Sequence, residues 1–154
     1  MISPLQLIDY TAETLFYERL DAEPAPDDVD IGAGLAFTID TKADEERSAN
    51  RLTLTVHFNM QDEEIPDEIA PYIAHRGRVR VQGWVGWIDD DMAEREQAMT
   101  LLLVNGLAML YGVARVHVAQ LTEGYTADRI VLPSINFQPL VDNWMQQESE
   151  SDEA

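Results

Sequence analysis

The clearest pattern in the chain is a regular alternation of apolar and polar residues in its first half. From Leu52 to Met60 every second residue is apolar, and the residues between them are Thr, His and Asn. A period of two with one apolar face is typical of a half-buried antiparallel strand. The alternation recurs from Gly77 to Ile88, more briefly from Leu35 to Ile39, and less regularly from Leu5 to Leu20. The sequence therefore predicts four antiparallel strands.

The period of the pattern changes after the fourth predicted strand. Asp89 to Asp91 supply an N-cap and favourable charge for a helix start. Helical spacing then extends from about Met92 to Leu121, with a break or kink predicted at Asn105-Gly106. Gly124 is predicted to end this helix. Its second half carries one buried face, which we expect to be formed by Leu107, Leu110, Val113, Ala114, His117, Val118 and Leu121.

The remaining segments complete an α+β prediction. The loop from Gln61 to Ala74 contains two prolines and is long enough for a short helical turn. An extended segment is predicted from Arg129 to Phe137, then a short helix from Pro139 to Gln147. Strands followed by helices predict a four-stranded antiparallel sheet with helices packed on one face. We expect one domain over residues 1–147 and a disordered acidic tail over residues 148–154.

The net charge of the chain limits the classes of partner that we expect. The 154 residues carry 29 Asp and Glu against 10 Lys and Arg, a net charge of −19. A field of that sign repels nucleic acid and anionic lipid, so neither is an expected partner. No apolar run approaches the roughly 20 residues of a membrane span, and Met1 to Leu5 lack a secretory signal pattern. We therefore expect a cytoplasmic protein that does not insert into a membrane.

Catalytic and metal-binding signals are missing from the sequence. The chain has no cysteine, which excludes thiolate metal sites and cysteine nucleophiles. His57, His75 and His117 are far apart and lack metal-ligand spacing, and adjacent side chains in the Asp89 to Asp91 run diverge. No phosphate-binding glycine loop appears. The sequence predicts a non-enzyme with no cofactor and no metal, and it predicts that His117 is a partly buried residue with a satisfied ring.

The fourth predicted strand carries apolar side chains on both faces. Val79, Val81, Val85 and Trp87 point one way, while Trp84 and Ile88 lie among polar residues on the other face. Such a strand is buried on both sides or contributes to a binding or subunit surface. Two interpretations stay open: the sheet stacks on a second copy of the chain, or it forms a groove for an apolar peptide.

Several stretches of the chain share a pattern with a known family. The segment from Leu132 to Phe137, followed by a short helix and an acidic tail, resembles the end of the export chaperone SecB, where a Pro-Val-Asn-Phe segment precedes the last helix. Leu110 to Arg115 resembles the family's Tyr-Ala-Arg helix, and Gly124 matches the glycine after it. Tyr10 to Phe16 resembles the first SecB strand, and Asn105-Gly106 stands where the family has Cys-Pro.

The resemblance implies a homotetramer, built as a dimer of dimers, that holds unfolded or nascent polypeptides in surface grooves without ATP. The aromatic residues expected to line such grooves are Phe37, Phe58, Trp84, Trp87 and Tyr125. Core packing is the competing use of each of these aromatics, because core and groove residues look alike in a strand.

The resemblance also implies a docking surface for the translocase motor SecA on the exposed sheet face. Its acidic positions fall at Glu13 and at Tyr17, which is next to Glu18, and further docking positions fall near Arg76 and Arg78. Arginine there reverses the charge, which should cost affinity and specificity. One hypothesis is therefore an export holdase that keeps preproteins competent for translocation. The alternative is a dedicated chaperone for one partner, for example an antitoxin, without SecA.

Overall fold

The fold is an antiparallel sheet followed by two helices. It is seen in a computed structural model that describes residues 5–24, 26–28, 34–44, 49–60, 65–87, 98–122 and 130–153. The four strands pair in the order β1-β4-β3-β2, all antiparallel. Their bounds, with those of the helices, are β1 Leu5–Arg19, β2 Leu35–Asp44, β3 Ala49–Phe58, β4 His75–Trp87, α1 Ala98–Thr122 and α2 Gln138–Glu153.

The four predicted strands and the α+β class are confirmed. β2 is longer than predicted, because it continues past Ile39 to Asp44 in unbroken pairing with β3. The short helical turn expected in the long loop is a 3-10 turn at Ala70–Tyr72. The predicted cap at Asp89 to Asp91 lies outside the described residues, as does Gly124.

The core forms between one face of the sheet and α1. The register puts the apolar alternation of β3 and β4 on this helix-side face, where the side chains of both strands are fully buried. Each such Leu, Val or Phe contributes about 1.5–3 kcal/mol by leaving water. The buried set comprises Leu52, Leu54, Val56 and Phe58 of β3, Val79, Val81 and Val85 of β4, and Leu102, Leu103, Leu107, Leu110, Ala114 and Val118 of α1.

A break or kink was predicted at Asn105-Gly106, and the break is wrong, since α1 is continuous through both residues. Gly106 is buried where the helix crosses the sheet, and a Cβ atom there would stand 2.5 Å from Leu52 Cδ1 and 3.4 Å from both Val85 methyl groups. Its missing side chain lets the helix approach the sheet closely. The Asn105 side chain donates to the Leu101 carbonyl one turn earlier, at 2.8 Å.

The predicted buried face of α1 is largely confirmed. Leu107, Leu110, Ala114 and Val118 are buried there, and His117 is half-buried with its Nε2 2.8 Å from the Thr14 hydroxyl. By length and composition alone α1 could cross a membrane. A core helix passes the same test, and α1 lays one face along β1, β3 and β4.

The last helix is longer than predicted. α2 begins at Gln138, where the Asn136 side chain accepts from the Gln138 amide at 3.1 Å, and it continues past Gln147 to Glu153. The disorder expected of the acidic residues 148–154 stays a prediction. Val141 buries its side chain in the core, and the Thr100 hydroxyl donates to Met145 Sδ at 3.3 Å.

Candidate functional site

A stripe of exposed apolar side chains follows β1, an edge strand of the described sheet. The β1 stripe consists of Ile8, Tyr10, Leu15 and Phe16, which are 58%, 52%, 41% and 37% exposed. The register places Tyr10 opposite Gly83 on the helix-side face and Phe16 opposite Arg78 on the outer face. Ile8 and Leu15 lie at the two register shifts of the strand. Apolar surface is therefore available on both faces of the sheet edge.

The second register shift changes which residues share a face. Regular alternation would place Glu13 and Tyr17 together, because they are four residues apart. The irregularity between Thr14 and Phe16 shifts the phase, as a bulge does. Glu13 stays on the outer face, while Tyr17 turns to the helix-side face, and its hydroxyl lies 2.6 Å from His75 Nδ1. Tyr17 consequently does not share the predicted docking face with Glu13.

Two ion pairs hold the carboxylates of Glu13 and Glu18 on the outer face. Arg80 donates to Glu13 through Nε at 2.7 Å and through Nη2. Arg76 donates to Glu18 through Nε at 3.0 Å and Nη2 at 2.6 Å. These side chains are 38–52% exposed, so each pair adds little stability. The main effect of these pairs is on binding, because both carboxylates already have a guanidinium partner.

Arg78 lies between these pairs on β4 and is held differently. Its Nε donates to His57 Nδ1 at 3.0 Å, and His57 Nε2 lies 3.0 Å from the Thr38 hydroxyl. Because an arginine Nε can only donate, His57 Nδ1 is the acceptor and the ring proton of neutral His57 sits on Nε2. The three side chains form a chain across β2, β3 and β4 that fixes the orientation of the Arg78 guanidinium.

Trp84 lies further along the outer face and is half-buried. Arg51, its cross-strand neighbour on β3, places its guanidinium 6.0 Å from the centre of the indole ring. An arginine over an aromatic face is a favourable cation–π arrangement. Trp84 is thus on the sheet face away from α1, where an apolar residue among polar neighbours was noticed in the sequence.

The other predicted groove aromatics divide between a cluster and the core. Phe37 is half-buried and meets Tyr111 and Phe137 edge-on, with ring centres 5.8 Å apart in both cases. Phe58 is fully buried, so of its two possible uses the structure shows core packing. A side chain without exposed surface does not line a groove of this chain. The Trp87 side chain and Tyr125 lie outside the described residues.

The two motifs that carry the family resemblance meet in space. The Tyr111 hydroxyl donates to the Pro133 carbonyl at 2.5 Å, and Arg115 Nε donates to the Leu132 carbonyl at 2.9 Å. Burial raises the pKa of the Tyr111 hydroxyl above its ordinary value of 10.0, and the nearby positive charge of Arg115 partly opposes that shift. These two side chains on α1 hold the segment that leads into α2.

Metal chemistry finds no support in the part of the chain that the structure describes. No group of three or more His, Asp or Glu side chains there could hold an ion.

A surface pocket of about 330 Å³ lies at the C-terminal end of β1, bordered by Arg19, Asp21 and Ala74 among others. It lies at the opposite end of the strand from Ile8 and Tyr10, so it is separate from that part of the β1 stripe.

Sequence reasoning overlooked several residues of these surfaces. The exposure of Ile8 and Leu15 was not predicted, because β1 has the least regular alternation of the strands. Irregular alternation can itself indicate a bulge. Arg51 and Arg80 stand in clean alternation opposite the apolar positions of β3 and β4. The alternation predicts their outward direction, placing Arg80 on the face of Trp84, whereas their partners depend on strand register.

The similarity of this chain to known proteins is to solved structures. No family model matches the chain, and no curated protein sequence matches it. Among solved structures, the chain is similar to a SecB-like chaperone of Mycobacterium tuberculosis in complex with a peptide from an antitoxin. The two sequences are 18% identical, the similarity covers 88% of this chain and 90% of that chain, and the TM-score is 0.49. Similarity at this level assigns neither a partner nor a function to this chain.

Proposed function

We propose that this chain is a SecB-like chaperone that holds an extended segment of one dedicated polypeptide partner along β1. The observation that supports this best is the β1 stripe, in which Ile8 and Tyr10 are more than half exposed. Large apolar side chains on both faces of an edge strand favour contact with another polypeptide. A polypeptide partner also suits a chain whose described residues offer no metal cluster.

Strand addition is the binding mode that fits this edge. An extended segment can pair with the outward backbone groups of an edge strand while its side chains alternate between the two faces. Between the two irregularities, β1 pairs regularly with β4 from Asp9 to Thr14. This is the part of the edge best suited to a regular ladder. Main-chain hydrogen bonds and apolar burial, at about 25 cal/mol per Å², would hold the segment without ATP.

The charges of the outer face favour a dedicated partner over SecA-coupled export. The resemblance requires free carboxylates for docking, but Glu13 and Glu18 are bound by Arg80 and Arg76. Docking a basic partner there would first require breaking these pairs, and Arg78 would repel it. Holding a client along β1 needs none of these groups. Phe37 and Trp84 remain candidates for further client contacts.

Aggregation suppression tests the holding function. An unfolded client is diluted into ATP-free buffer with and without the protein, and light scattering is followed. The double variant Ile8→Thr/Tyr10→Thr, which keeps good strand formers, should lose most of the suppression. The matched control is Val131→Thr, because Val131 is 63% exposed but lies outside β1. Equal suppression by the wild type and the double variant contradicts the proposal. A loss of suppression that is explained by a changed oligomeric state of the double variant contradicts it as well.

The choice of partner is tested separately by a pull-down with purified SecA. We expect no retention of SecA by the wild-type chain. Firm binding would instead support the export holdase, and it would require that the two ion pairs open on docking. The variant Arg76→Glu/Arg78→Glu, which restores an acidic face, should bind SecA better than the wild type if the charge argument is correct.

A further inference from the structure

The outer sheet face carries half of the basic side chains of a strongly acidic chain, together with the carboxylates of Asp9, Glu13, Glu18 and Asp40. The register places Lys42, Arg51, Arg76, Arg78 and Arg80 on this face, five of the 10 basic residues. Arg76, Arg78 and Arg80 alternate along β4 and form an arginine row with a spacing of about 7 Å. Arg76 and Arg80, at the two ends of the row, are each paired with a carboxylate, as described above. The positive charge left over in the row is therefore at its centre, on Arg78.

We propose that Arg78 is the anchor of a second interaction surface, which binds a polypeptide segment presenting one carboxylate beside an apolar side chain. Arg78 donates to His57 through Nε, and its two terminal nitrogens can form the fork that matches a carboxylate. Phe16, its cross-strand neighbour, is 37% exposed and supplies the apolar contact. This surface is distinct from the regular edge of β1 that the proposed function uses.

The orientation of Arg78 is set before a partner arrives. Its Nε is held by His57, and His57 is in turn held by Thr38. Because the guanidinium is already held in place, binding a partner costs less side-chain entropy. Arg76, whose guanidinium lies 5.9 Å from the centre of the Phe16 ring, restrains the neighbouring apolar side chain.

Charge complementarity selects this occupant over two others. A nucleic acid presents a dense row of phosphates, and its binding requires many uncompensated cations on a protein that is not strongly acidic. The arginine row offers one such cation on a chain of net charge −19. A second copy of the chain, meeting this face with its own outer face, would bring two arginine rows together. A single carboxylate neutralises Arg78 without either repulsion.

The test uses two capped peptides that differ in one residue, Thr-Val-Glu-Val-Thr and Thr-Val-Lys-Val-Thr. Binding to the full chain is followed by amide chemical shifts at increasing peptide concentration. The Glu peptide should bind and shift amides of β4 and β3 around Arg78, and Arg78→Gln should weaken it about tenfold or more. Lys42→Gln, on the same face but on β2, is the matched control and should bind as the wild type does.

Arg78→Lys keeps the charge without the fork, and it should weaken binding by several-fold; it also serves as the test should Arg78→Gln not fold. Equal binding of both peptides, unchanged binding by the Arg78 variants, or tighter binding of single-stranded DNA than of the Glu peptide would each overturn the proposal. Arg78→Gln should suppress client aggregation like the wild type. Failure of the holding function and failure of this surface are therefore separate results.

Discussion

Two glycines of α1 provide a matched pair for the packing of helix on sheet. Gly106 is buried, and an added Cβ would stand 2.5 Å from Leu52 Cδ1. At Gly112, six residues further along the same helix, an added Cβ meets nothing within 4 Å. Replacing either glycine by alanine changes helix propensity by the same amount, so the difference between the two variants isolates the contact with the sheet.

The expected sizes follow from two opposing effects. Glycine to alanine inside a helix stabilises by roughly 0.8–1.0 kcal/mol, which is the full effect expected for Gly112→Ala. At Gly106 the new methyl group must displace a fully buried Leu52 side chain, and such overpacking costs about 1–3 kcal/mol. Gly106→Ala should therefore lower the free energy of unfolding by up to about 2 kcal/mol, so the two variants should differ by about 1–3 kcal/mol.

Thermal unfolding followed by circular dichroism measures this difference, at roughly 2–4 °C per kcal/mol for a chain of this size. The melting temperature should rise for Gly112→Ala and fall for Gly106→Ala, with elution volume checked to be the same for both. An equal rise in both variants would refute the reasoning. It would mean that the helix does not approach the sheet closely at Gly106.

Three further outcomes are expected. Because the folded state holds the Tyr111 proton more tightly than the unfolded state, with its pKa raised above 10.0, the contribution of Tyr111 to stability should be constant below pH 10 and fall as the pH rises above it; Tyr111→Phe should flatten the fall above pH 10 in a melting series, and an equal fall in the variant contradicts this account. Glu13→Gln should change the free energy of unfolding in urea by less than about 1 kcal/mol, since its exposed pair with Arg80 adds little; a larger loss contradicts that account. Trp84→Ala should reduce aggregation suppression several-fold while the oligomeric state persists, and unchanged suppression would exclude Trp84 from client contact.

Period alone was enough to predict the sheet and the long helix. β3 alternates without interruption because one face is buried under α1 and the other is not, and this is the condition under which a period of two becomes visible. The same pattern predicted which side chains of β4 point toward the helix. The order of strands then helices was sufficient for the α+β class.

The errors have a common origin in long-range contacts. Gly106 looks like a helix breaker in sequence, and only its closeness to Leu52, 54 residues away, shows why glycine is needed there. Phe37 and Phe58 stand on one strand pair with the same apparent alternation, yet only Phe58 is fully enclosed. The ion pairs of Glu13 and Glu18 depend on the register between the first and last strands, which local pattern does not encode.

The bulge at Leu15 makes sequence length, and not residue identity alone, a determinant of surface chemistry. Deleting Leu15 would remove the extra residue and leave Tyr17 opposite Gly77 and Glu18 opposite Arg76, so the faces beyond the bulge would be kept. Straightening the strand with Leu15 kept would instead place Tyr17 opposite Arg76, where Glu18 now stands. For the same reason, an alignment of β1 with a strand that lacks this bulge equates, beyond Leu15, residues that point in opposite directions. Docking residues can be transferred between such chains only up to the bulge.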